Sequence, residues 1–483
     1  MIVEQTSGGG VRGVLFAAVL AASLASGFAR AHDGDLDFSF GDHGKAFPAY
    51  PGAGFVAYGV SLTTPALGLQ ANGDLIVGAT RVASGNFDFS ALRLLPDGTV
   101  DTLFGNSGAA VVAFDRSGSS KFDNANDIIL QSDDKIVLAG VVAGDSANGN
   151  DMGVARLNAD GSPDMSFGNQ GKVTVAFNLG DPNLGGVDDD AYRVALQADG
   201  QILLTGFTST GPTSLLAVAR LNGSDGLRDT TFNTDGRATV SFGGDAAAGF
   251  QIRQLADHAH ILVVGAAYTS PGSSNIDFAL AKLDASGQLD PSFGIGGTTT
   301  YGFDIGGNDM DYAFDFIEQP DGKLLVCGFV EVNGPANTDF GCMRFLADGT
   351  PDPAYAPLLV PFDLGGDFED LALRMQGDAL GRIVLVGPVE RSTTGGYYNY
   401  DYGVARLLPD GTLDTTFGNH GTITYNGAPW QAPGTDYDNE GFGVLIQPDG
   451  KIVVAGIADD GTGNYQIELV RAIGDTIFDD RFE

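Results

Sequence analysis

The sequence is short of basic side chains: its 483 residues include 25 Lys and Arg against 61 Asp and Glu, giving a formal net charge of −36. Nucleic acid and anionic membrane surfaces are disfavoured as partners, because both attract an excess of positive charge. Only eight of the acids are Glu and 53 are Asp, whereas Gly reaches 72. Asp and Gly favour turns and Glu favours helices, so the composition disfavours a long helical protein.

Signatures of catalysis are also scarce. The sequence contains no G-x-S-x-G elbow, no Cys–His pairing and no phosphate-binding loop. Of the five His, His43 and His420 occupy the same turn position of a repeat, and the pair His258 and His260 is only a weak metal signal. The sequence therefore predicts no enzyme. Acid pairs are abundant enough to keep a glycosidase dyad as an alternative.

Long apolar runs are absent apart from residues 13–29, which follow Arg12 and end in Ala29-Arg30-Ala31. A basic flank, a short apolar core and small terminal residues are typical of a cleavable secretory signal. The pattern predicts a signal peptide over 1–31, with a retained membrane anchor as the alternative. We expect an exported protein, extracellular, at the cell surface or in the periplasm, with no membrane insertion after cleavage.

A repeat with a spacing of 61 to 65 residues fills the rest of the chain. Its pattern is basic–apolar–x–x–D–G–x–x–D–x–x–F–G–x–x–G. It occurs seven times, with the basic residue at Arg93, Arg156, Arg220, Lys282, Arg344, Arg406 and Arg471, the second Asp at Asp37, Asp101, Asp164, Asp229, Asp290, Asp352 and Asp414, and the aromatic at Phe40, Phe104, Phe167, Phe232, Phe293, Tyr355 and Phe417. An upstream half of the form Q–x–D–G–K–I–V–V–A–G recurs with its Gln at Gln70, Gln131, Gln197, Gln254, Gln319, Gln376 and Gln447.

Each unit contains four short segments of strand character, joined by Asp-Gly turns that favour hairpins. Four antiparallel strands in a repeat of about 63 residues are typical of a propeller blade. The ends of the chain are complementary, since the segment from Asp33 supplies a turn and a fourth strand and the last unit ends after Arg471 with three strands. We predict an all-β, seven-bladed β-propeller of four-stranded antiparallel blades over 32–471, closed by pairing of the N-terminal strand with the C-terminal blade.

Segments such as DMGVARLNADGSPDMSFGNQG (151–171) and DYGVARLLPDGTLDTTFGNHG (401–421) resemble the delta-60 repeat, a bacterial β-propeller repeat of exported proteins. The resemblance covers nearly the whole chain after residue 31. It departs at Tyr355, where the Phe-Gly turn is replaced, and at Asn233, which stands where Gly is usual. The resemblance implies a seven-bladed propeller and an exported setting, and it implies no activity.

The last segment, residues 472–483, is similar to the IFxDGFE tails that end many exported proteins of Gram-negative bacteria, although Arg481 stands where Gly is usual. It predicts a sorting motif, with a frayed terminus as the alternative. This resemblance places the expected export in a Gram-negative bacterium.

The two cysteines, Cys327 and Cys342, lie 15 residues apart on strands predicted to be adjacent and antiparallel. A cross-strand disulfide forms if their Cβ vectors converge. Two buried free thiols are the alternative, and the sequence leaves both open.

Residues present in all seven copies are most simply structural. The recurrent basic residue and Asp are predicted to form an ion pair in each blade, and the aromatic is predicted to pack between blades. The turns after the first and third strands lie on one face and repeat closely. The loops after the second strands and the crossings between blades lie on the other, the variable-loop face, and we predict that a ligand binds there.

Acidic side chains concentrate in the crossings of the variable-loop face. Clustered carboxylates with backbone carbonyls are suitable ligands for Ca²⁺, although their spacing matches no strict calcium loop. The candidate ligands for a possible Ca²⁺ are Asp188, Asp189, Asp190, Asp309, Asp311, Asp436 and Asp438. The alternative is a solvated acidic surface that keeps the protein dispersed.

One region of this face is unusually aromatic. Tyr397, Tyr398 and Tyr400 lie in the longest loop, and Trp430, the only Trp, lies in the next crossing. Exposed Tyr and Trp beside Asp and Asn can stack on sugar rings or anchor a peptide. The sequence predicts that these residues bind an unknown protein or glycan; rings that only cover the blade junction are the alternative.

These observations predict an exported, acidic, monomeric propeller that acts as a binding or scaffold module without catalysis; whether Ca²⁺ stabilises it or the acids are a solvated surface stays open. The alternative is a carbohydrate-active hydrolase that uses acidic residues at the propeller mouth. An unpaired pair of acids in a pocket with aromatic walls favours the second hypothesis.

Overall fold

The computed structural model describes residues 32–49, 65–83, 85–116, 122–144, 149–179, 187–306, 310–332, 337–362, 364, 369–391, 399–426, 438–459 and 465–474. Within these residues the regular structure consists of 28 β-strands. None of the described residues belongs to a helix that could cross a membrane.

The strands form seven antiparallel sheets of four. The N-terminal strand β1 (Lys45–Ala46) belongs to the seventh sheet. The first blade comprises β2 (Ala66–Leu69), β3 (Leu75–Ala83), β4 (Asn86–Leu94) and β5 (Ala109–Val112); the second comprises β6 (Asp123–Leu130), β7 (Ile136–Ala143), β8 (Asn150–Leu157) and β9 (Lys172–Val175); the third comprises β10 (Asp189–Leu196), β11 (Ile202–Ser209), β12 (Ser214–Leu221) and β13 (Arg237–Val240).

The remaining blades repeat this order. The fourth comprises β14 (Ala247–Gln254), β15 (His260–Tyr268), β16 (Ile276–Asp284) and β17 (Thr298–Tyr301); the fifth comprises β18 (Asp311–Glu318), β19 (Leu324–Glu331), β20 (Thr338–Phe345) and β21 (Leu358–Val360); the sixth comprises β22 (Arg374–Gly377), β23 (Ile383–Glu390), β24 (Tyr400–Leu407) and β25 (Thr422–Tyr425). In the seventh, β26 (Asn439–Ile446), β27 (Ile452–Asp459) and β28 (Tyr465–Ala472) are followed by β1, with Lys45 opposite Val470. The predicted all-β fold of seven four-stranded blades is confirmed.

The turns after the third strands need glycine where two blades approach. Gly161 has a φ of +84°, which glycine adopts without strain. A Cβ at this position would lie 2.9 Å from the ring of Phe104 in the preceding blade. The Asp-Gly dipeptide of the repeat therefore sets both the turn and the packing between blades.

The basic residue and the second Asp of the repeat form a largely buried ion pair in every blade, as predicted. Arg156 donates from Nε to Asp164 Oδ2 at 2.8 Å, and its guanidinium carbon lies 4.4 Å from the Phe167 ring centroid. The equivalent pairs are Arg93–Asp101, Arg220–Asp229, Lys282–Asp290, Arg344–Asp352, Arg406–Asp414 and Arg471–Asp37.

The guanidinium groups also connect neighbouring blades. Arg93 Nη1 donates to the carbonyl of Ala159 at 2.8 Å, and Arg220 Nη1 donates to the carbonyl of Ala285 at 2.7 Å. Each accepting carbonyl lies in the turn after the third strand of the next blade. A single side chain thus neutralises its own Asp, covers its own aromatic ring and holds the adjacent blade.

The first strands of five blades contain a β-bulge. Their pairing with the second strands shifts between Ala125 and Asp127, Ala191 and Arg193, Gly249 and Gln251, Ala313 and Asp315, and Gly441 and Gly443. A bulge interrupts the ladder and re-aims the side chains beside it. These five positions differ between blades, unlike the turns.

Cys327 and Cys342 lie opposite each other on β19 and β20, with Cα atoms 4.1 Å apart, and are joined by a disulfide. Both side chains are buried in the core of the fifth blade. Of the two possibilities left open by the sequence, the structure contains the cross-strand disulfide.

We predict that Asp37→Ala lowers the free energy of unfolding by about 3–5 kcal/mol, because it leaves Arg471 buried without its carboxylate. Arg471 Nε donates to Asp37 Oδ2 at 2.8 Å across a separation of 434 residues, so the pair joins the N-terminal segment to the last blade. Urea unfolding followed by circular dichroism measures the loss. The control Asp42→Ala, at a side chain that is 61% exposed, should lose less than about 1 kcal/mol; equal losses in the two variants would contradict the prediction.

Candidate functional site

The first strands of all seven blades line a cavity of about 560 Å³ on the propeller axis, here called the axial cavity. Each strand contributes, through Leu67, Asp127, Arg193, Gln251, Asp315, Arg374 and Val444. The cavity extends to Leu196, Gln254 and Gly377 at the ends of these strands. It therefore lies toward the face of the repetitive turns, opposite to the variable-loop face.

Charged side chains dominate the wall of the axial cavity. Arg374 Nη2 donates to Asp127 Oδ1 at 3.1 Å, and Arg253 Nη2 lies 2.8 Å from Asp315 Oδ1. Asp315 also accepts a hydrogen bond from Gln251 Nε2 at 3.0 Å. Two of the guanidinium groups in the wall are therefore matched by carboxylates.

Sequence reasoning missed these residues. Asp127, Arg193 and Asp315 each lie four residues before the Gln of their repeat, directly after a bulge. The signal was present in the sequence, because charged residues of both signs occupy one position of the repeat and break its symmetry. The residues on either side have the pattern of an ordinary strand and give no further indication of a site.

A second group of side chains lies at the variable-loop face over the sixth and seventh blades. This group, here called the mouth cluster, consists of Glu369, Glu390, Tyr400, Asp438, Glu440 and Tyr465. Tyr465 donates its hydroxyl to Asp438 Oδ2 at 2.8 Å, and Tyr400 donates its hydroxyl to Glu369 Oε2. Among the described residues, no Lys or Arg pairs with Glu369, Asp438 or Glu440.

The carboxyl groups of Asp438 and Glu440 are hydrogen-bonded to each other. Burial, reinforced by the charge of Asp438 and that of Glu369, raises the pKa of Glu440 to about 8. Burial also raises the pKa of Asp438. Buried carboxyl groups with raised pKa values are common where acid–base catalysis occurs.

An aromatic cleft lies where the third, fourth and fifth blades meet. It encloses about 240 Å³ and is lined by Tyr192, Phe207, Phe250, Tyr268 and Tyr312. Phe250 stacks on Tyr192, with ring centroids 5.4 Å apart. Phe250 and Tyr312 of the cleft and Tyr465 of the mouth cluster pack against the same apolar cluster, which includes Phe314 and Phe442. Tyr192 and Phe250 are bulge residues, which the sequence interpretation also missed.

The structure brings two of the predicted site residues, Tyr400 and Asp438, into the mouth cluster. Asp188, Asp189, Asp190 and Asp311 lie at other blade junctions. The remaining predicted site residues, namely Asp309, Asp436, Tyr397, Tyr398 and Trp430, lie outside the described residues.

Two of the candidate calcium ligands accept hydrogen bonds from the backbone of the crossings between blades. Asp189 Oδ2 accepts the backbone N–H of Phe177 at 2.6 Å, and Asp311 Oδ2 accepts that of Phe303 at 2.6 Å. Asp123 and Asp370 make the same bond to Phe114 and Phe362. Within the described part of the chain, no group of three or more His, Cys, Asp or Glu side chains has the arrangement of a metal site. The calcium hypothesis stays a prediction.

The fold defines a seven-bladed β-propeller built from seven copies of one repeat. The family model described as "Domain of unknown function (DUF5122) beta-propeller" matches the chain in seven segments, one in each blade: residues 70–104, 131–167, 197–232, 260–293, 319–355, 393–417 and 447–472. No curated protein sequence matches the chain.

Several solved structures are similar in fold. The polysaccharide lyase Uly1 is 12% identical with a TM-score of 0.48, over 88% of this chain and 94% of its own. The GH93 α-L-arabinofuranosidase of Fusarium graminearum is 10% identical with a TM-score of 0.40, over 91% and 97%. The α-L-arabinanase of Penicillium chrysogenum is 8% identical with a TM-score of 0.38, over 85% and 92%.

These comparisons correct two expectations drawn from the sequence, that the chain is a binding or scaffold module and that it is not an enzyme. The three propellers just described are enzymes named for their action on carbohydrates. At these identities the likeness extends to the fold alone, so any active residues must be argued from this chain's own side chains.

We predict that the free energy of unfolding falls as the pH rises from about 4 to about 8. Burial raises the pKa of Asp311 to about 7. Burial and the charges of Asp188 and Asp189 raise the pKa of Asp190 to about 7. The pKa of Glu440 is raised to about 8, as described above. These carboxyls titrate near pH 4 when unfolded, so the folded state binds more protons throughout this interval. A Tm series in buffers of constant ionic strength measures the slope; Asp311→Asn should flatten it, and a Tm that climbs over the interval would contradict the prediction.

The calcium hypothesis predicts that Tm rises by several degrees when EDTA is replaced by millimolar Ca²⁺, because an ion that binds only the folded state stabilises it. Differential scanning fluorimetry with matched ionic strength measures the shift. Equal Tm values in both buffers would show that the acids of the crossings form a solvated surface.

Proposed function

We propose that this protein is a carbohydrate-active hydrolase whose catalytic residues lie in the mouth cluster. The observation that carries the proposal is the hydrogen-bonded pair of Asp438 and Glu440 beside Glu369. Glycoside hydrolysis needs a protonated carboxyl group as the acid and a second, ionised carboxylate. The mouth cluster contains carboxyl groups that can take both roles.

Glu440 is the proton donor in this proposal. Its raised pKa keeps the proton available at neutral pH, and Asp438 accepts a hydrogen bond from it and fixes its direction. The proton passes to the glycosidic oxygen as the bond from that oxygen to the anomeric carbon breaks. The carboxylate then returns to the neutral form by taking a proton from solvent.

Glu369 is the second carboxylate. Its Oε2 accepts the hydroxyl of Tyr400, and its backbone N–H donates to Glu390 Oε2 at 3.2 Å, so its position is held from both ends. In the proposed reaction Glu369 takes a proton from the water whose oxygen joins the anomeric carbon. In this proposal the sugar binds between Glu440 and Glu369.

The aromatic cleft supplies the binding surface. Tyr192, Phe250 and Tyr312 present half-buried rings, and such rings stack on the apolar faces of sugars while neighbouring hydroxyls hydrogen-bond to polar groups. The predicted glycan ligand of the variable-loop face fits this surface.

We propose in addition that the protein works outside the cytoplasm and that its repeat is the delta-60 repeat. The signal-like residues 1–31 and the Cys327–Cys342 disulfide support an oxidising compartment. The two repeat segments that resemble the delta-60 pattern support the finer family.

We predict that Glu440→Gln lowers kcat on a cleaved polysaccharide by about 10²–10⁴-fold, because the amide cannot donate the proton. Tm should stay equal or rise, since a buried titratable carboxyl is removed. Release of reducing ends from a panel of polysaccharides that includes arabinan measures the activity. In the unaltered enzyme the rate should fall above about pH 8, as Glu440 loses its proton.

Asp449→Asn is the matched control, because Asp449 is a 53% exposed carboxylate in the same blade but in a repetitive turn on the opposite face. It should keep full activity. Full activity of Glu440→Gln, or an unaltered chain that cleaves no polysaccharide of the panel, would overturn the proposed function.

A further inference from the structure

The aromatic cleft is lined by five aromatic rings, and each of them is half-buried, so part of every ring is open to solvent. The rings stand at an angle to one another. Tyr192 and Phe207 are inclined by 44° with centroids 5.9 Å apart, and Phe250 and Tyr312 by 40° with centroids 6.2 Å apart. Tyr268 completes the set. Inclined rings around one cavity form a cage, and the faces of aromatic rings carry the negative end of their quadrupole.

The rest of the cleft wall is small and largely apolar. It consists of Ile276, Ser214 and five alanines, namely Ala246, Ala247, Ala248, Ala266 and Ala267. Among the described residues of the wall, Ser214 and the tyrosines are the only ones whose side chains can hydrogen-bond. The volume of about 240 Å³ is below the roughly 300–1,000 Å³ of sites for drug-sized molecules. The cleft therefore suits a small head group that needs few hydrogen bonds.

Carboxyl groups surround the aromatic cleft. Asp190 lies directly opposite Phe207 in the pairing of β10 with β11, and its side chain is half-buried. Burial and the charge of Asp190 raise the pKa of the Tyr192 hydroxyl, so this charge acts on the wall of the cleft. Three more aspartates directly adjoin lining residues in the sequence, namely Asp245, Asp277 and Asp311.

No described Lys or Arg lines the aromatic cleft to balance these acids. Arg193, the residue after Tyr192, lines the axial cavity instead. Burial and the charges of the two preceding aspartates raise the pKa of Asp190 to about 7, whereas an ion pair with a cation would lower it. Within a chain of net charge −36, charge complementarity therefore favours a cation in the cleft.

We propose that the aromatic cleft binds an organic cation of the quaternary ammonium type, with its charge against the aromatic rings and its methyl groups against the alanines. A quaternary ammonium group has no N–H to satisfy, so it matches a wall with few acceptors, and aromatic cages are established protein sites for such groups. The proposal goes beyond the proposed function, because it concerns the charge of the group held in the cleft and is tested without cleavage. Among glycans, those that carry such a cation should occupy the cleft in preference to neutral ones.

The test uses the full purified chain at low ionic strength and pH 8, where most of Asp190 is ionised. The probe is choline chloride, and its matched control is 3,3-dimethyl-1-butanol, in which carbon replaces the charged nitrogen at nearly the same shape. Isothermal titration measures both affinities, with sodium chloride as the ionic control. Choline should bind at least about tenfold more tightly than the alcohol. Equal affinities, an equal response to sodium chloride, or no heat up to about 50 mM choline would overturn the proposal.

Two variants of Tyr192 place the cation in the cleft. Tyr192→Leu removes a ring and keeps an apolar side chain, so choline affinity should fall at least about fivefold. Tyr192→Phe keeps the ring and should keep most of the affinity. Choline affinity that is unchanged in Tyr192→Leu would show that choline binds elsewhere.

The variant Asp190→Asn tests the charge and also decides the case if Tyr192→Leu does not fold. Its choline affinity should fall by about three- to tenfold, while its affinity for the alcohol stays the same. Its Tm without ligand should be equal or higher, since a buried carboxyl group is removed. The control Asp199→Asn, at an exposed carboxylate in the same blade, should bind choline like the parent. Equal choline affinities in Asp190→Asn and Asp199→Asn would contradict the assignment.

Discussion

The contact on which the ring depends is the triple interaction of an arginine, an aspartate and an aromatic ring, repeated in every blade. In the second blade, Arg156 neutralises Asp164, covers Phe167 and donates to Gly223 and Ser224 in the turn of the next blade. A blade alone would leave this guanidinium without its outer acceptors, so the interaction is complete only when blades stand side by side. In the fourth blade Lys282 replaces Arg and lies 5.9 Å from its ring centroid, which shows that the position requires a cation but tolerates a point charge.

The recurrent ion pairs leave the sequences of the first strands free to differ between blades. Because the turns and the third strands secure the ring, the positions directly after the bulges of the first strands need not repeat, and they carry an aspartate, an arginine, a glutamine and a glycine in different blades. The axial cavity is built from these strands, and the aromatic cleft includes Tyr192, Phe250 and Tyr312 from three of them. The mouth cluster likewise arises where one blade passes to the next, at the start of β26 and the end of β23. The residues that repeat in every blade thus stabilise the propeller, and the candidate functional residues lie where the blades differ in sequence.

Acidity has different physical consequences on the two faces. In the turns, Asp carboxylates accept hydrogen bonds from nearby hydroxyls and backbone N–H groups, as where Ser292 lowers the pKa of Asp290 to about 2. On the variable-loop face, acids are buried against each other, and burial raises the pKa of Asp190, Asp311 and Glu440. Acidic residues therefore have lowered pKa values in the turns, where they accept hydrogen bonds, and raised pKa values on the variable-loop face, where they are buried.

The sequence by itself determined the number of blades, the turns and the recurrent ion pairs, because these follow from local patterns at fixed spacing. It also indicated two members of the mouth cluster, Tyr400 and Asp438, through the clustering of aromatics and acids. Only the tertiary structure decided which acids meet. Glu369 and Glu440 are 71 residues apart in sequence, and their proximity depends on how the sixth and seventh blades stack. The same holds for the aromatic cleft and the axial cavity, because their walls combine residues of different blades: Tyr192, Phe250 and Tyr312 belong to three blades, and Asp127 is matched by Arg374 across 247 residues.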